Sequence, residues 1–269
     1  QWMCGHSRSG SFSIWGAIEL GGVDAGDLVS HCFIDRMREF GAFVDCQPGP
    51  NCWRVELPAT WNDYLALLSK SHRKQVRRLE RRWFASGRAV LHSVVQPADL
   101  DRGLDILADL HVRRRGNFGE AGVFADERFA AFHREVAEQL LADDALRLSW
   151  IEFDGRPVAA EYQVAGKHVV YAYQSGIDPA ALDLEPGRLA MMATLRRAIE
   201  NRYRSFDLLR GDEPYKAHWR ARPRASMEVR IFAAQGADWF KHRARVAGVQ
   251  LRRWLHANWQ RATSLAHVN

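Results

Sequence analysis

The chain has 269 residues, 47% of them hydrophobic and 26% charged, which is typical of a globular protein with a sizeable core. It contains no apolar run long enough to cross a membrane and shows no charged-then-apolar signal segment. The formal charge of +6 favours an anionic partner, such as a phosphorylated cofactor, an acidic glycan, nucleic acid or a lipid surface.

All four cysteines lie in the first fifth of the sequence, at Cys4, Cys32, Cys46 and Cys52. Their spacing matches no zinc site, and they are too sparse for a disulfide framework. The histidines show no metal-binding spacing with cysteines or acids either. We therefore expect reduced, mostly structural thiols, a cytoplasmic location and no bound metal.

The opening of the chain reads as strand, helix, strand. Residues 11–20 alternate like a strand, and the following segment has helical spacing, with Asp24 or Asp27 as the cap and Gly41 as the stop. Residues 53–58 form a second short strand ending at a proline. This unit is too small to be a domain by itself.

A long amphipathic helix is predicted from its cap at Thr60 to its stop at Gly87. Its apolar positions face a core, and its other face is basic. We expect most of these cations to lie in solvent, whereas Arg73 and Arg77 are candidates for contact with an anionic substrate. The basic face consists of Lys70, Arg73, Lys74, Arg77, Arg78, Arg81 and Arg82.

The middle of the chain predicts two helices and then an antiparallel meander, because Asp154-Gly155 is a strong hairpin signal between apolar alternating runs. A crossover helix, a parallel-type strand, a short helix and a last strand follow. The order predicts a mixed, mostly antiparallel sheet with helices on both faces, in the α/β (α+β) class. The helices are predicted at 99–115, 126–142 and 189–201, and the strands at 89–95, 145–153, 156–165, 167–177, 205–209 and 226–233.

The segment Glu185-Pro186-Gly187-Arg188 joins a strand to the crossover helix. Proline suits the first turn of a helix, and glycine lets a ligand approach the backbone closely. Free amides at the helix start, the helix dipole and Arg188 together favour an anion, and a pyrophosphate would fit.

Two polar residues stand out in the meander. Glu161 lies between Ala160 and Tyr162 in an otherwise apolar strand, where it either acts as a general base facing a cleft or faces solvent. Gln174 raises the same question. Further along, Asp207 lies in the apolar strand "SFDLL" and either pairs with Arg204 or Arg210 or orients reacting groups.

Several motifs together resemble the GNAT acyltransferases, most closely the CelD-like branch associated with cellulose biosynthesis, which is related to the FemABX transferases. They are "DGRPVA" at 154–159, the "PG" of the 185–188 loop, "FDLLRGDEPYKAHW" at 206–219 and "WNDYLALLSKSHRKQVRRLERR" at 61–82. The resemblance runs from about Trp53 to Ala233, and it implies the GNAT fold.

The resemblance also implies an activity, the transfer of an acetyl or other acyl group from acyl-CoA to an amine or hydroxyl. The acceptor would be a small molecule or a glycan precursor in exopolysaccharide or envelope biosynthesis. The donor loop would be Pro186, Gly187, Arg188 and Leu189, the groups at the reacting centre Tyr215, Lys216, Asp207 and Glu161, and the acceptor contacts Asp212, Arg73, Arg77 and Gln174. In this assignment Tyr215 is the general acid at the leaving sulfur and Lys216 stabilises developing negative charge.

Two alternatives stay open. The loop has fewer glycines than the usual GNAT phosphate loop, and FemABX relatives can use aminoacyl-tRNA, so a tRNA donor competes with acyl-CoA. A non-catalytic module that binds anionic glycans or lipids is the other alternative. Its support is the basic C-terminal helix with Trp239, Trp254 and Trp259, which could lie on an anionic membrane.

The family tends to carry two acyltransferase-like units in tandem. Residues 1–55 are therefore predicted to be the end of a first unit, which would account for the start at Gln1. Residues 56–236 would be the acyltransferase domain, and residues 237–269 a basic C-terminal helix.

Overall fold

The computed structural model describes residues 17–232. These fall into two compact units, the described parts of Gln1–Pro50 with Ala225–Asn269, and Asn51–Arg224. The predicted basic helix at 237–269 lies outside the described residues. No helix among residues 17–232 is both long and apolar enough to cross a membrane.

Ten strands and seven helices are used in the description that follows. The strands are β1 (Ala17–Asp24), β2 (Phe43–Pro48), β3 (Cys52–Glu56), β4 (Ala89–Ser93), β5 (Leu146–Phe153), β6 (Arg156–Ala165), β7 (Val169–Ile177), β8 (Ser205–Arg210), β9 (Arg222–Arg224) and β10 (Ser226–Phe232). The helices are α1 (Leu28–Glu39), α2 (Trp61–Leu67), α3 (Lys70–Leu79), α4 (Leu100–Gly116), α5 (Glu127–Ala142), α6 (Pro186–Glu200) and α7 (Pro214–His218).

The smaller unit is a three-stranded antiparallel sheet, in the order β1-β10-β2, with α1 packed on it. Asp27 caps α1 by accepting a hydrogen bond from the Ser30 amide, as one of the two sequence alternatives predicts. Ile34 and Met37 of α1 are buried against Val229 and Ile231 of β10. These contacts form a separate small core.

The larger unit contains a seven-stranded sheet in the order β4-β5-β6-β7-β8-β3-β9. β7 and β8 are parallel, and all the other neighbouring pairs are antiparallel. One face is covered by α4 and α5, whose core includes Leu107 and Leu110. The other face is covered by α2, α3 and α6, whose core includes Tyr64, Val76 and Leu195. The predicted mixed sheet with helices on both faces is therefore confirmed.

The long helix predicted from Thr60 to Gly87 is wrong in its continuity. Leu68 adopts an extended conformation, and Ser69 then caps α3 by accepting a hydrogen bond from the His72 amide. A serine side chain in this position supplies a helix start in the middle of the apolar pattern, which helical spacing alone does not reveal. The break sets the direction of α3 independently of α2.

The last predicted strand does not extend the larger sheet. β10 pairs with β1 and β2, and the strand that lies beside β8 is β3. β3 thus lies in the larger unit, and the contact boundaries fall after Pro50 and Arg224 rather than at the predicted 55 and 236. The origin of the smaller unit in a preceding acyltransferase unit stays a prediction.

A buried ion pair joins β3 to β8. Arg54 donates from Nε and Nη2 to one carboxylate oxygen of Asp207, at 3.0 and 2.8 Å. The other carboxylate oxygen accepts from the Leu209 amide at 2.9 Å. Asp207 is 4% exposed, so its charge depends on these donors. The predicted partners Arg204 and Arg210 are wrong, because Arg54 reaches Asp207 from the neighbouring strand.

Replacing Arg54 by methionine should destabilise the larger unit, because it leaves the buried Asp207 carboxylate without its cation. We expect a loss of about 3 kcal/mol in the free energy of unfolding, measured by urea denaturation. The matched control is Arg134→Met. Arg134 pairs with Asp101 and Asp105 and is more exposed than Arg54, so its loss should cost less than about 1 kcal/mol. Equal losses in both variants would contradict the importance of the buried pair.

Candidate active site

A cleft opens where two parallel strands separate. β7 and β8 pair only from Val169 to Tyr171 and from Ser205 to Asp207, at their beginnings. Beyond this point they diverge, and the gap between them is part of a cavity of about 1290 Å³. Ala172, Gln174, Ser175, Leu208 and Leu209 line it. The cleft therefore exists because six residues of β7 lack a partner on this side.

The start of α6 forms one edge of the cavity. Gly187 and Arg188 line it, whereas Pro186 and Leu189 are buried beneath it. A side chain added at Gly187 would meet no atom within 4 Å, so the backbone here is open to a ligand. The structure thus brings two of the four predicted donor residues to the cavity. Pro186 and Leu189 instead form the first turn and its anchor in the core.

The amides at this helix start are fewer than the sequence predicts. The Arg188 and Leu189 amides both donate to the Glu185 carbonyl, at 3.0 Å each. Glu185 itself is in the left-handed conformation, with φ 55°. The backbone amide still directed to a ligand in the first turn is that of Gly187, since Pro186 has none. Binding of an anion therefore depends more on side chains than on the helix start itself.

Those side chains are arginines around one carboxylate. Glu185 accepts a hydrogen bond from Arg78 Nη2 at 2.7 Å and also pairs with Arg188. Burial and the neighbouring Arg78 lower the pKa of Arg188. Two guanidiniums and one carboxylate leave an excess of positive charge beside Gly187, which suits a phosphate group.

The two α3 arginines chosen from the sequence do not reach the cavity. Arg73 donates to the Leu65 and Ala66 carbonyls at the end of α2, and Arg77 is exposed. α3 instead presents Ser71 and Gln75 to the cavity. The break at Leu68 directs the face with Ser71 and Gln75 toward the cavity. The continuous helix predicted from the sequence does not indicate this orientation.

The charged turn after β8 is held together by Lys216. This side chain is 1% exposed, and its ammonium donates to the carbonyls of Leu209, Arg210 and Gly211 at 2.9–3.3 Å. It also pairs with Glu213 at 2.9 Å. The ammonium has no hydrogen left for a substrate, so the geometry favours a positioning role over the predicted stabilisation of negative charge.

Asp207 and Asp212, the two acids assigned to this turn, do not line the cavity. Asp212 accepts hydrogen bonds from Trp53 Nε1 at 2.9 Å and from Asn51 Nδ2 at 3.4 Å, and it does not line the cavity. Asp207 is held by Arg54, as described above. Asp207 binds the backbone of the turn through the Leu209 amide, whereas Asp212 is bound by the side chains of Trp53 and Asn51, so the predicted acceptor contact of Asp212 is absent from this arrangement.

Glu161, Gln174 and Tyr215 do meet in the cavity. Burial raises the pKa of Glu161 to about 8, although the positive charge of Arg114 acts in the opposite direction. Burial and the charges of Glu213 and Glu161 raise the pKa of Tyr215 to about 12. A carboxyl group that titrates near neutrality and a phenol that stays protonated are a matched base and acid for proton transfer.

Sequence reasoning missed the residues of the opposite walls. His111, Arg114 and Phe118 reach the cavity from the end of α4, and His218 and Trp219 from the end of α7. The one local signal for α4 is Gly176 in β7, where an added Cβ would lie 2.6 Å from the His111 amide nitrogen. Glycine at this position allows α4 to pack directly on β7, but a single glycine in a strand does not name its neighbour.

Histidines also line the cavity. Within residues 17–232 there is no group of three or more histidine, cysteine or acidic side chains that could hold a metal ion. Burial lowers the pKa of His72 and of His111, so both imidazoles are neutral near pH 7. Beside these imidazoles, carboxyl, phenol and guanidinium groups line the cavity.

In the larger unit, helix α6 thus starts at the open end of the separating strands β7 and β8, and Glu161 lines the same cavity. Residues 70–217 match the family model of the GNAT acetyltransferase domain. Because this match covers more than half of the chain, the chain belongs to the GNAT acetyltransferase family. The predicted GNAT fold is confirmed.

Solved structures support the fold. FemX superposes with a TM-score of 0.61 at 10% identity, over 81% of this chain and 72% of FemX. The C-terminal domain of a putative lysylphosphatidylglycerol synthetase from Agrobacterium fabrum gives 0.53 at 12% identity, over 82% and 68%. A conserved protein of unknown function from Bacteroides thetaiotaomicron gives 0.54 at 12% identity, over 81% and 69%. The search of curated proteins found no match.

Replacing Glu161 by glutamine should change the pH dependence of stability. The folded-state pKa of about 8 lies above the ordinary value of 4.5. The contribution of this carboxyl group to stability is therefore complete below pH 4.5 and is lost as the pH rises through 8. The glutamine of the variant cannot ionise. The melting temperature of the variant, relative to that of the wild type, should therefore increase as the pH rises from 4.5 to 8.

Melting curves at a series of pH values test this expectation. Glu138→Gln is the control, because Glu138 is an exposed carboxylate on α5. If the melting temperatures of wild type and Glu161→Gln stayed parallel across the range, the carboxyl group would not be buried as described.

Proposed function

We propose that this chain transfers an acyl group from acyl-CoA to an amine or hydroxyl acceptor. The observation that carries the proposal is the cleft between β7 and β8, with the open backbone of Gly187 at its edge. A pyrophosphate at the start of α6 would lead the pantetheine arm into the gap between the two strands. The thioester would then enter the cavity that Glu161 and Tyr215 share.

The donor phosphates would be held mainly by Arg78 and Arg188. Both guanidiniums now pair with Glu185, and a pyrophosphate would share them and add a hydrogen bond from the Gly187 amide. The CoA moiety is polyanionic, which agrees with the excess positive charge of this edge.

The chemistry would use Glu161 and Tyr215, whose pKa values are raised. The acceptor nitrogen or oxygen attacks the thioester carbonyl, and Glu161 takes the proton that this atom loses. The carbon–sulfur bond then breaks, and Tyr215 gives its proton to the leaving thiolate. Glu161 must be ionised to act as a base, so the rate should rise as the pH increases toward 8.

The finer assignment is to the CelD-like branch and to exopolysaccharide or envelope biosynthesis, with acetyl-CoA as the donor. It is supported by the sequence "FDLLRGDEPYK" at 206–216, which supplies both the Asp207 strand and the Lys216 clamp of the turn. A glycan precursor is the acceptor class that this assignment proposes.

A second candidate donor is an aminoacyl-tRNA. It is favoured by exposed cations on and just after α3, next to the face that lines the cavity, because a row of cations binds a nucleic-acid backbone. They are Lys70, Lys74, Arg77, Arg81 and Arg82. FemX and the putative lysylphosphatidylglycerol synthetase share the fold with this chain, and that likeness alone does not select a donor.

Calorimetric titration with acetyl-CoA distinguishes the two donors. We expect saturable binding to the wild type, and at least about tenfold weaker binding to Gly187→Leu, because the new side chain would occupy the space of the pyrophosphate. Gly187 has a φ that any residue adopts and an open Cβ position, so the variant should fold normally.

Gly116→Leu is the matched control, because Gly116 is also in a helix and open at its Cβ position but does not line the cavity. Unchanged affinity in Gly187→Leu would remove the donor loop from the proposal. Absence of acetyl-CoA binding together with tight binding of aminoacyl-tRNA would favour the second candidate.

Tyr215→Phe should lower kcat by about a hundredfold or more, because it removes the proton donor for the leaving thiolate. The dissociation constant for acetyl-CoA should not change. Turnover can be followed by thiol release with acceptors from a panel of amines and amino sugars. The control is Tyr173→Phe, which removes a cavity phenol that is hydrogen-bonded to His133. Wild-type turnover in Tyr215→Phe would exclude the acid role.

A further inference from the structure

Three consecutive arginines end α4, and the structure gives them different partners. Arg113 pairs with Asp109 at 2.7 Å and with Asp178 at 3.2 Å. Arg115 pairs with Glu120 at 2.9 Å. These two outer guanidiniums are thus neutralised by carboxylates.

The middle arginine is different. Arg114 lines the cavity and is half-buried, and its Nη1 donates to the Ser175 hydroxyl at 3.3 Å. Among the described residues it makes no ion pair. Its positive charge acts on both Glu161 and Tyr215, where it opposes the rise in pKa that burial causes. Arg114 is therefore a cation at the reacting centre with hydrogen-bonding capacity to spare.

The nearby carboxyl group does not neutralise this cation at neutral pH. Burial raises the pKa of Glu161 to about 8 against the attraction of Arg114, so the protonated form prevails at pH 7. A partly desolvated guanidinium without a counter-ion is costly, and an anion supplied by a ligand removes that cost.

The cation is also on the opposite wall from the donor. Arg114 comes from α4, which packs on β7 at Gly176, whereas the proposed phosphate contacts Arg78 and Arg188 belong to α3 and the start of α6. Phe118, exposed at the end of α4, extends the α4 wall with an apolar surface. This wall is suited to an organic molecule that carries a negative charge.

We propose that Arg114 binds an anionic group of the acceptor, a carboxylate or a phosphate, and so selects acceptors that carry one beside their amine or hydroxyl. The inference rests on the proposed acyl transfer and adds the substrate class to it. Arg114 takes over the role of anion recognition that the sequence assigns to Arg73 and Arg77.

Anion binding can be measured without knowing the acceptor. Wild-type protein saturated with CoA is titrated with inorganic phosphate and, separately, with acetate at constant ionic strength, and binding is followed by thermal shift. We expect saturable stabilisation by at least one of the two anions, and Arg114→Gln should weaken it at least about tenfold. Arg114→Lys should retain part of it, because the charge remains.

Arg128→Gln is the matched control, since it removes one positive charge from an exposed position on α5. It should bind the anions as the wild type does. Phenylglyoxal modification with peptide mapping localises the effect. The anion that stabilises the protein should slow the reaction at Arg114, and CoA alone should not.

Each outcome separates the two proposals. Normal CoA affinity with anion binding that is lost in Arg114→Gln supports the inference. Failure of both anions to stabilise the CoA-saturated wild type, or equal loss in Arg128→Gln, overturns it and leaves the donor site untouched. Protection of Arg114 by CoA alone, with weaker CoA binding in Arg114→Gln, also overturns it, because Arg114 would then belong to the donor site. If CoA does not bind, the proposed function fails. The anion titrations of the wild type and of Arg114→Gln are then done without CoA and judged by the same criteria.

Discussion

The site depends on one geometric constraint, that β7 and β8 begin as a hydrogen-bonded parallel pair and then separate. A parallel pair that separates leaves backbone groups without a sheet partner, and these must be satisfied in another way. On the β8 side, Asp207 accepts from the Leu209 amide, and Lys216 binds the three carbonyls that follow. Arg54 in turn holds Asp207. Side chains therefore bind backbone groups at the end of β8, where β7 no longer pairs with it.

This arrangement separates the charged groups that hold the turn from the groups proposed to react. Asp207 and Lys216, two of the four residues predicted at the reacting centre, instead bind the backbone of the turn. The groups with capacity for chemistry, Glu161 and Tyr215, are held by strand β6 and helix α7, and their pKa values are shifted chiefly by burial. Positioning and chemistry thus belong to different residues of neighbouring segments.

The sequence predicts most of the fold, and six of the twelve predicted site residues line the cavity. Strand alternation, the Asp154-Gly155 turn and the capping residues identify the elements, because these signals are local. The break at Leu68 depends on a single serine cap, so the sequence does not predict which face α3 presents to the cavity. For this reason the sequence pattern indicates Arg73 and Arg77 rather than Arg78. The α4 wall, with Arg114, depends on a contact between α4 and β7 at Gly176, and such distant contacts leave little trace in a single sequence.

The hydrogen bonds of Lys216 have a consequence for the proposed transfer from a thioester. A free amine close to an acyl donor is itself a target for acylation. The Lys216 ammonium is offered four oxygen atoms for its three hydrogens, from three carbonyls and Glu213. Held by these oxygens and 1% exposed, the nitrogen cannot approach an acyl group. The residue that fixes the wall of the cavity is therefore protected from chemical damage by the substrate it helps to accommodate.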